Sequence, residues 1–213
     1  MLSKEQLTNR LKEGVATLHL GIPPLTQEAI IDFLYFLEKW NKSYNLTAIS
    51  ELDKMLSHHI LDSLAISPYI QGLQVLDVGT GAGFPGIPLA FYFTQKHFTL
   101  LDSNGKKTRF LMQAKTQFKL TNTTIVQSRA EDYQSSIHFD VITARAVSSI
   151  IDLVKHTCHL LSPGGQWVLM KGLYPQQELH ELELTKPELL VNAHRLNVPG
   201  LSAARHCIII TKP

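Results

Sequence analysis

The sequence predicts an α/β fold: a mostly parallel, doubly wound sheet of seven strands with an N-terminal helical extension. Three observations predict it. Residues 74–88 read Q-V-L-D-V-G-T-G-A-G-F-P-G-I-P, an apolar run that breaks into alternating glycines and resumes as a helical pattern. Short apolar runs then alternate with helical stretches as far as residue 170, the order that builds a parallel sheet with crossover helices. The first 70 residues carry helical periodicity. The expected division is 1–70 for a helical extension packed on the core and 71–213 for the sheet domain.

Taken in order, residues 3–20 read as a polar helix with Leu7, Leu11, Val15 and Leu18 on one face, ended by Gly21-Ile22-Pro23-Pro24. Thr26 is the expected cap of a second helix that buries Ile30, Ile31, Phe33, Leu34, Leu37 and Trp40. Ser50, followed three residues on by Asp53, has the form of a capping box for a third helix reaching Ile66. Asn41, Tyr44, Asn45 and Thr47 fall in the connecting turn, either as hydrogen bonds within a loop or as substrate contacts. Val75, Leu76 and Val78 form the first strand, and Ile87, Leu89, Ala90 and Phe91 open the helix after the glycines. A strand at 98–101 ends on Asp102, Asn104-Gly105 turns, and a helix follows with Phe110, Leu111, Ala114 and Phe118 inside. Strands at 123–127 and 139–142, a helix over 147–161, a turn at Pro163-Gly164-Gly165 and a strand at 166–170 come next. An acidic helix over 179–190 and strands at 191–198 and 206–211 close the chain, the last two as an antiparallel pair at the sheet edge.

Composition excludes several classes. A hydrophobic content of 44% and a charged content of 18% belong to a globular domain rather than a disordered chain. No apolar run approaches the length of a membrane span, and the N-terminus has no basic-apolar-small order of a secretory signal. Cys158 and Cys207 are far apart and in no C-x-x-C motif, which suits a reduced, cytoplasmic setting. Neither His58-His59 nor His156, Cys158 and His159 has zinc spacing, so no metal is expected. For His58, His59, Asp62 and Ser63 the simple reading is helix-surface hydrogen bonding that anchors the helix on the main domain. Residues 1–70 hold six Lys/Arg against eight Asp/Glu and residues 71–213 hold fourteen against ten, so the positive excess lies in the sheet domain.

The glycine loop indicates a nucleotide-type ligand. Glycine reaches positive φ and lets the backbone approach a ligand with no Cβ in the way. Gly81-Ala82-Gly83-Phe84-Pro85-Gly86 satisfies G-x-G-x-x-G, but in the dinucleotide fingerprint the first glycine follows the strand directly. Here that residue is Gly79, and the third glycine position falls on Phe84. Asp77 adds negative charge where a pyrophosphate would sit, an arrangement better suited to the cationic amino-acid end of S-adenosylmethionine. Asp102, at the tip of the second strand, is placed to accept both ribose hydroxyls, a feature that NAD enzymes share. Loop chemistry alone therefore favours a methyltransferase and leaves a small-molecule or NAD-linked enzyme open.

The segment V-L-D-V-G-T-G-A-G-F-P-G-I-P-L-A resembles the signature of the bacterial 16S rRNA guanine-N7 methyltransferase family known as RsmG or GidB. Other segments agree in order: W-N-K-S-Y-N-L-T from Trp40, H-I-L-D-S from His59, L-D-S-N-G-K-K from Leu101, A-R-A from Ala144, M-K-G from Met170 and V-P-G-L-S-A-A-R-H from Val198. The resemblance implies a class I S-adenosylmethionine-dependent methyltransferase (Rossmann-like) fold acting on 16S rRNA or the small ribosomal subunit, with no membrane partner; a monomer is expected. It implies cofactor contacts from Asp77, Gly79, Gly81, Gly83, Phe84, Asp102, Ala130 and Glu131, the last two at the adenine edge. Arg145, at the end of its strand, is expected at the junction of cofactor and substrate, for positioning rather than as a base. Lys106, Arg129, Lys171, Arg205 and His206 are the candidates for RNA. A non-catalytic sensor or assembly factor binding S-adenosylmethionine and rRNA would carry the same residues.

Overall fold

In the computed structural model, which describes residues 2–146 and 148–212, the seven strands form one sheet. They are β1 (Gln74–Val78), β2 (His97–Asp102), β3 (Thr123–Gln127), β4 (Phe139–Arg145), β5 (Leu161–Lys171), β6 (Leu190–Leu196) and β7 (Arg205–Thr211). Their order is β3-β2-β1-β4-β5-β7-β6. The first five run parallel, while β7 is antiparallel to both β5 and β6. Strand order reverses between β1 and β4, and ligands of such sheets bind outside the carboxyl ends of the strands at that reversal. Because β7 runs the other way, its first residue, Arg205, lies at the end where β4 and β5 finish.

One face of the sheet carries α1 (Lys4–Thr17), α2 (Pro24–Tyr44), α5 (Gly86–Tyr92) and α6 (Gly105–Gln117), with a compound helix formed by α3 (Leu52–Met55), a π-helical turn (Leu56–Leu61) and α4 (Asp62–Leu64). The other face carries α7 (Ile150–Thr157) and α8 (Gln176–Thr185). Leu7, Phe33, Leu37 and Ile60 from the first 70 residues share one core with Val75, Phe98, Val141 and Val168 of the sheet. Leu76, Ile142, Trp167 and Ile208 point the opposite way, toward α7 and α8. The strand period of two thus places Val141, Thr143 and Arg145 toward the N-terminal helices. Cys207 faces the same way, and Arg205 shares its parity.

Local starts and stops differ from expectation in several places. Ser3 caps α1 through a reciprocal pair with Gln6. Thr26 caps nothing, because Pro24, whose ring pre-sets φ, already opens α2. That helix runs on to Tyr44, so Asn41 and Tyr44 are helical, and Asn45 ends it at φ 50°. The Ser50–Asp53 box does not form; Glu51 precedes the helix and makes no side-chain cap. The helix expected over 147–161 is Ile150–Thr157, capped by Ser149, and its expected first residue, Val147, lies outside the described residues. Pro163-Gly164-Gly165 falls within β5, where the pairing with β4 shifts register between Phe139 and Val141. The acidic helix α8 starts at Gln176 and stops at Thr185, and β6 begins at Leu190. Among the described residues no helix is long and apolar enough to cross a membrane, and no cluster of ligands could hold a metal ion.

Candidate cofactor and RNA site

The glycine loop between β1 and α5 is left-handed at three points: Gly79 (φ 62°), Gly81 (63°) and Gly83 (94°). Asp77 braces it from beneath. Its Oδ2 accepts from the Gly86 N–H at 2.8 Å and the Thr80 hydroxyl at 2.5 Å, and its Oδ1 accepts from the Thr143 hydroxyl at 3.2 Å. The carboxylate is fully buried and turned into the loop, so it stands behind the expected ligand position instead of beside a cationic group. Burial raises Asp77 to about 6, against the hydrogen bonds from Thr80, Gly86 and Thr143 that favour the ionised form. A carboxyl raised on folding contributes stability that is fully present below its unfolded value near 4 and is lost as pH rises through about 6. His59, lowered to about 3 chiefly by burial, gives the opposite slope across much of the same window. The difference between wild type and Asp77→Asn isolates the first effect: the unfolding free energy of wild type relative to the variant, read by urea denaturation, is expected to fall between about pH 4 and pH 6 by up to about 2–3 kcal/mol. A constant difference across that range would show that Asp77 ionises as freely folded as unfolded.

Above the loop lies a cleft of about 350 Å³ whose walls include Gly79, Asp102, Lys107, Ala130, Glu131 and His156. Asp102, 6% exposed at the end of β2, accepts from the Gly81 N–H at 2.9 Å and the Asn104 N–H at 2.8 Å. Lys107 Nζ stands 3.8 Å from the same carboxylate. One acidic side chain therefore ties the glycine loop to the first turn of α6, with lone pairs remaining for a ligand. Glu131 is held below the usual carboxyl range, first by its own backbone N–H. It pairs with Arg129, another wall residue, at 3.6 Å.

The fold thus gathers Gly79, Asp102, Ala130, Glu131 and Arg129 around one cleft and joins Gly81 to it through Asp102. It places Gly83 and Phe84 elsewhere. A Cβ on Gly83 would strike Ile87 and come within 3.1 Å of Leu111, so this glycine permits close packing of α5 and α6. Phe84 is 3% exposed, its ring 4.5 Å from His59 and 6.1 Å from Phe33. Lys107 and His156 line the cleft although the sequence reading did not single them out as ligands. Lys107 carried a signal, since a helix starting just after Asp102 returns its first turn to that carboxylate.

Arg145 belongs to a second cluster. Its Nη1 donates to the His58 carbonyl at 2.9 Å and to Asp62 Oδ2 at 3.4 Å, and its guanidinium lies 5.3 Å from the centre of the Phe84 ring. Arg205 Nε donates to the other oxygen of Asp62 at 3.1 Å. One carboxylate is thus shared by two guanidiniums, leaving one net positive charge at the carboxyl end of β4. Burial raises the Asp62 carboxyl above its usual range, while Arg205 and Arg145 oppose that rise. His59 and Asp62 are buried at this contact and do not lie on a helix surface.

The remaining RNA candidates do not form one surface. Lys106 is exposed on the first turn of α6, whose cap is the Asn104 side chain bonded to the Lys106 N–H. Lys171 points to the opposite face of the sheet from Arg145, where both Glu178 oxygens hold it at 2.8 and 2.9 Å. His206 Nδ1 is bonded to the Gly172 carbonyl at 2.8 Å and lies edge-on to Tyr174.

Residues 26–208 match the family model GidB, described as rRNA small subunit methyltransferase G. The chain belongs to this family. A relative from Coxiella burnetii (strain Dugway 5J108-111), named ribosomal RNA small subunit methyltransferase G, is 52% identical over 202 residues, 95% of this chain and 97% of the relative. One of the same name from Pseudomonas syringae pv. syringae is 44% identical, covering 97% and 96% of the two chains. Among solved structures, a glycopeptide N-methyltransferase complexed with S-adenosylmethionine superposes with a TM-score of 0.62 at 10% identity, over 73% of this chain and 87% of that one. A precorrin-6y C5,15-methyltransferase from Geobacter metallireducens gives 0.56 at 14% identity, over 80% and 93%. At such identities these two show the class I methyltransferase fold. The GidB match extends across the N-terminal helices from α2 onward, so it includes Asp62 as well as Arg145 and Arg205.

Proposed function

We propose that this chain transfers the methyl group of S-adenosylmethionine to N7 of a guanine in the decoding-region loop of 16S rRNA, presented as RNA or on the small ribosomal subunit. The observation that carries the reading is the pairing of the two clusters. Asp102 and Arg145 end β2 and β4, the two neighbours of β1, so a nucleoside-holding carboxylate and a cationic junction flank one glycine loop. The names of the 44–52% identical relatives support the substrate class.

The cleft suits the nucleoside. Asp102 is an acceptor for ribose hydroxyls, the Ala130–Glu131 segment forms an adenine edge, and the backbone at Gly79 and Gly81 comes close without a Cβ. When bound, S-adenosylmethionine supplies an electrophilic methyl on a sulfonium. N7 of guanine offers an in-plane lone pair and has no proton to lose, so the site needs no general base. His59, beside Arg145, is lowered to about 3 chiefly by burial, too weak a base to take a proton, which agrees with a site that needs none. What the chain must do is hold N7 in line with the methyl, and such positioning supplies roughly 7–11 kcal/mol. In this reading the net charge of the Arg145–Asp62–Arg205 cluster takes an RNA phosphate, with Arg129 and Lys106 extending the path. Lys171, already held by Glu178, has less to offer.

The test is transfer of labelled methyl from S-adenosylmethionine to small subunits from cells lacking the protein, with naked 16S rRNA, transfer RNA and bulk protein alongside. Label is expected in 7-methylguanosine at one rRNA site. Arg145→Ala is expected to lower transfer about 100-fold while cofactor affinity is kept, because misplacement of about 1 Å costs that much. Label in another base would overturn the guanine-N7 assignment. No label in any acceptor, with cofactor still bound, would point to a sensor.

A further inference from the structure

The sequence reads His59 as a hydrogen-bonding residue on a helix surface, yet the fold buries its ring where three elements meet. Its Nε2 is 2.8 Å from the Thr47 hydroxyl and its Nδ1 is 3.4 Å from Nη2 of Arg145. The ring stacks on Phe84 at 4.5 Å and 22°, and the Arg145 guanidinium lies over the same phenyl ring. Donor counting assigns the proton. A guanidinium nitrogen only donates, so Nδ1 facing it must accept, and a neutral imidazole then carries its hydrogen on Nε2. That N–H donates to Thr47 Oγ1, which also accepts from the Ile49 N–H at 3.2 Å. Thr47 is held in turn by Asn41, whose Oδ1 accepts from the Thr47 N–H at 2.8 Å and whose Nδ2 donates to the Ile49 carbonyl at 3.3 Å.

We propose that His59 is a positioning residue, its ring anchored through Nε2–H on Thr47 so that its Nδ1 lone pair fixes the orientation of Arg145 toward the reacting junction. This deepens the methyltransferase reading and rests on it for the role of Arg145. Asp62 and the His58 carbonyl grip Nη1 alone; His59 holds the other terminal nitrogen and so sets the plane of the guanidinium. The charged and titratable groups around the ring are Arg145 on β4, Arg205 on β7, and His58 and Asp62 on its own helix. A protonated ring would add a third cation there and lose its only acceptor. Burial and Arg145 keep it neutral, down to about 3.

Two measurements test this, and the first needs no substrate. In the ¹⁵N-labelled protein, His59 is expected to show the Nε2–H pattern unchanged between about pH 5 and pH 8, whereas a free histidine titrates in that range. The second compares His59→Phe, which keeps a ring against Phe84 but removes both nitrogens, with Thr47→Val, which removes the acceptor that anchors Nε2–H and so loosens the ring. Both are expected to lower kcat about 10–100-fold with KM for S-adenosylmethionine unchanged, an effect of misorientation. If His59→Phe fails to fold, Thr47→Val carries the comparison. An Nδ1–H or charged ring, or wild-type kcat in a folded variant, would overturn the proposal. Absence of rRNA transfer by the wild type would overturn the functional reading instead and leave the tautomer measurement standing.

Discussion

Asp102→Ala is expected to weaken S-adenosylmethionine binding by about 100-fold or more. The carboxylate holds two backbone donors, the Gly81 and Asn104 N–H groups, with Lys107 nearby, and in the proposed complex it also takes the ribose hydroxyls. Hydrogen bonds to a charged group contribute about 1.5–3 kcal/mol each, so loss of a bidentate ribose contact alone reaches a factor of about 100. Release of the Gly81 N–H adds to this by loosening the loop. Asp102→Asn, which keeps one acceptor oxygen, is expected to fall between the two. Titration calorimetry gives the affinity and circular dichroism checks the fold. Unchanged affinity in a folded Asp102→Ala protein would remove this residue from the cofactor site.

Asp62→Ala acts on the other cluster and is expected to cost both stability and transfer. The Asp62 side chain is 3% exposed and serves two guanidiniums, so its removal leaves Arg145 and Arg205 facing each other without a counter-charge. Breaking a buried pair by removing one partner costs about 3–5 kcal/mol. The arginines keep about a fifth of their surface in water, which screens part of the repulsion and points to the lower end, about 3 kcal/mol. Methyl transfer is expected to fall at least as far as in Arg145→Ala, since both arginines lose their anchor. Urea denaturation reads the first effect and labelled transfer the second. A variant of wild-type stability would mean that water or the backbone replaces the carboxylate.

The two clusters differ in how far the amino-acid order reveals them. The Asp102 cleft is built by contiguous pieces: a strand, its glycine loop, the tip of the next strand and the turn after the third. Each lies at a strand end, and parallel strands bring their ends together, so Gly79 and Asp102 could be named from the motif before any coordinates, whereas Ala130 and Glu131 come from the family resemblance. Phe84 and Asp77 were harder. Both sit in the same motif, yet one side chain turns into the aromatic core around Phe33 and the other into the loop's own N–H groups.

The Arg145 cluster joins residues 62, 145 and 205, and no local pattern links positions so far apart. Strand parity does show that Arg145 shares a face with Val141 and Thr143, but not which helix covers that face. The pairing of Arg145 with Asp62 comes from the packing of the N-terminal helices on the sheet. The π-helical turn at Leu56–Leu61 then sets the His58 carbonyl, His59 and Asp62 around a single guanidinium.

The amino-acid order by itself determined the strand-loop-helix motif, the sheet class, the antiparallel closing pair and the family resemblance. Each depends on apolar period, glycine and proline placement, or short contiguous segments, which act within a few residues of the chain. Tertiary structure alone decided which of the distant charges are already paired: Arg145 and Arg205 by Asp62, and Lys171 by Glu178. Burial raises the cost of an uncompensated charge, so partners are selected by which side chains the packed layers enclose together, and sequence distance carries no information about that.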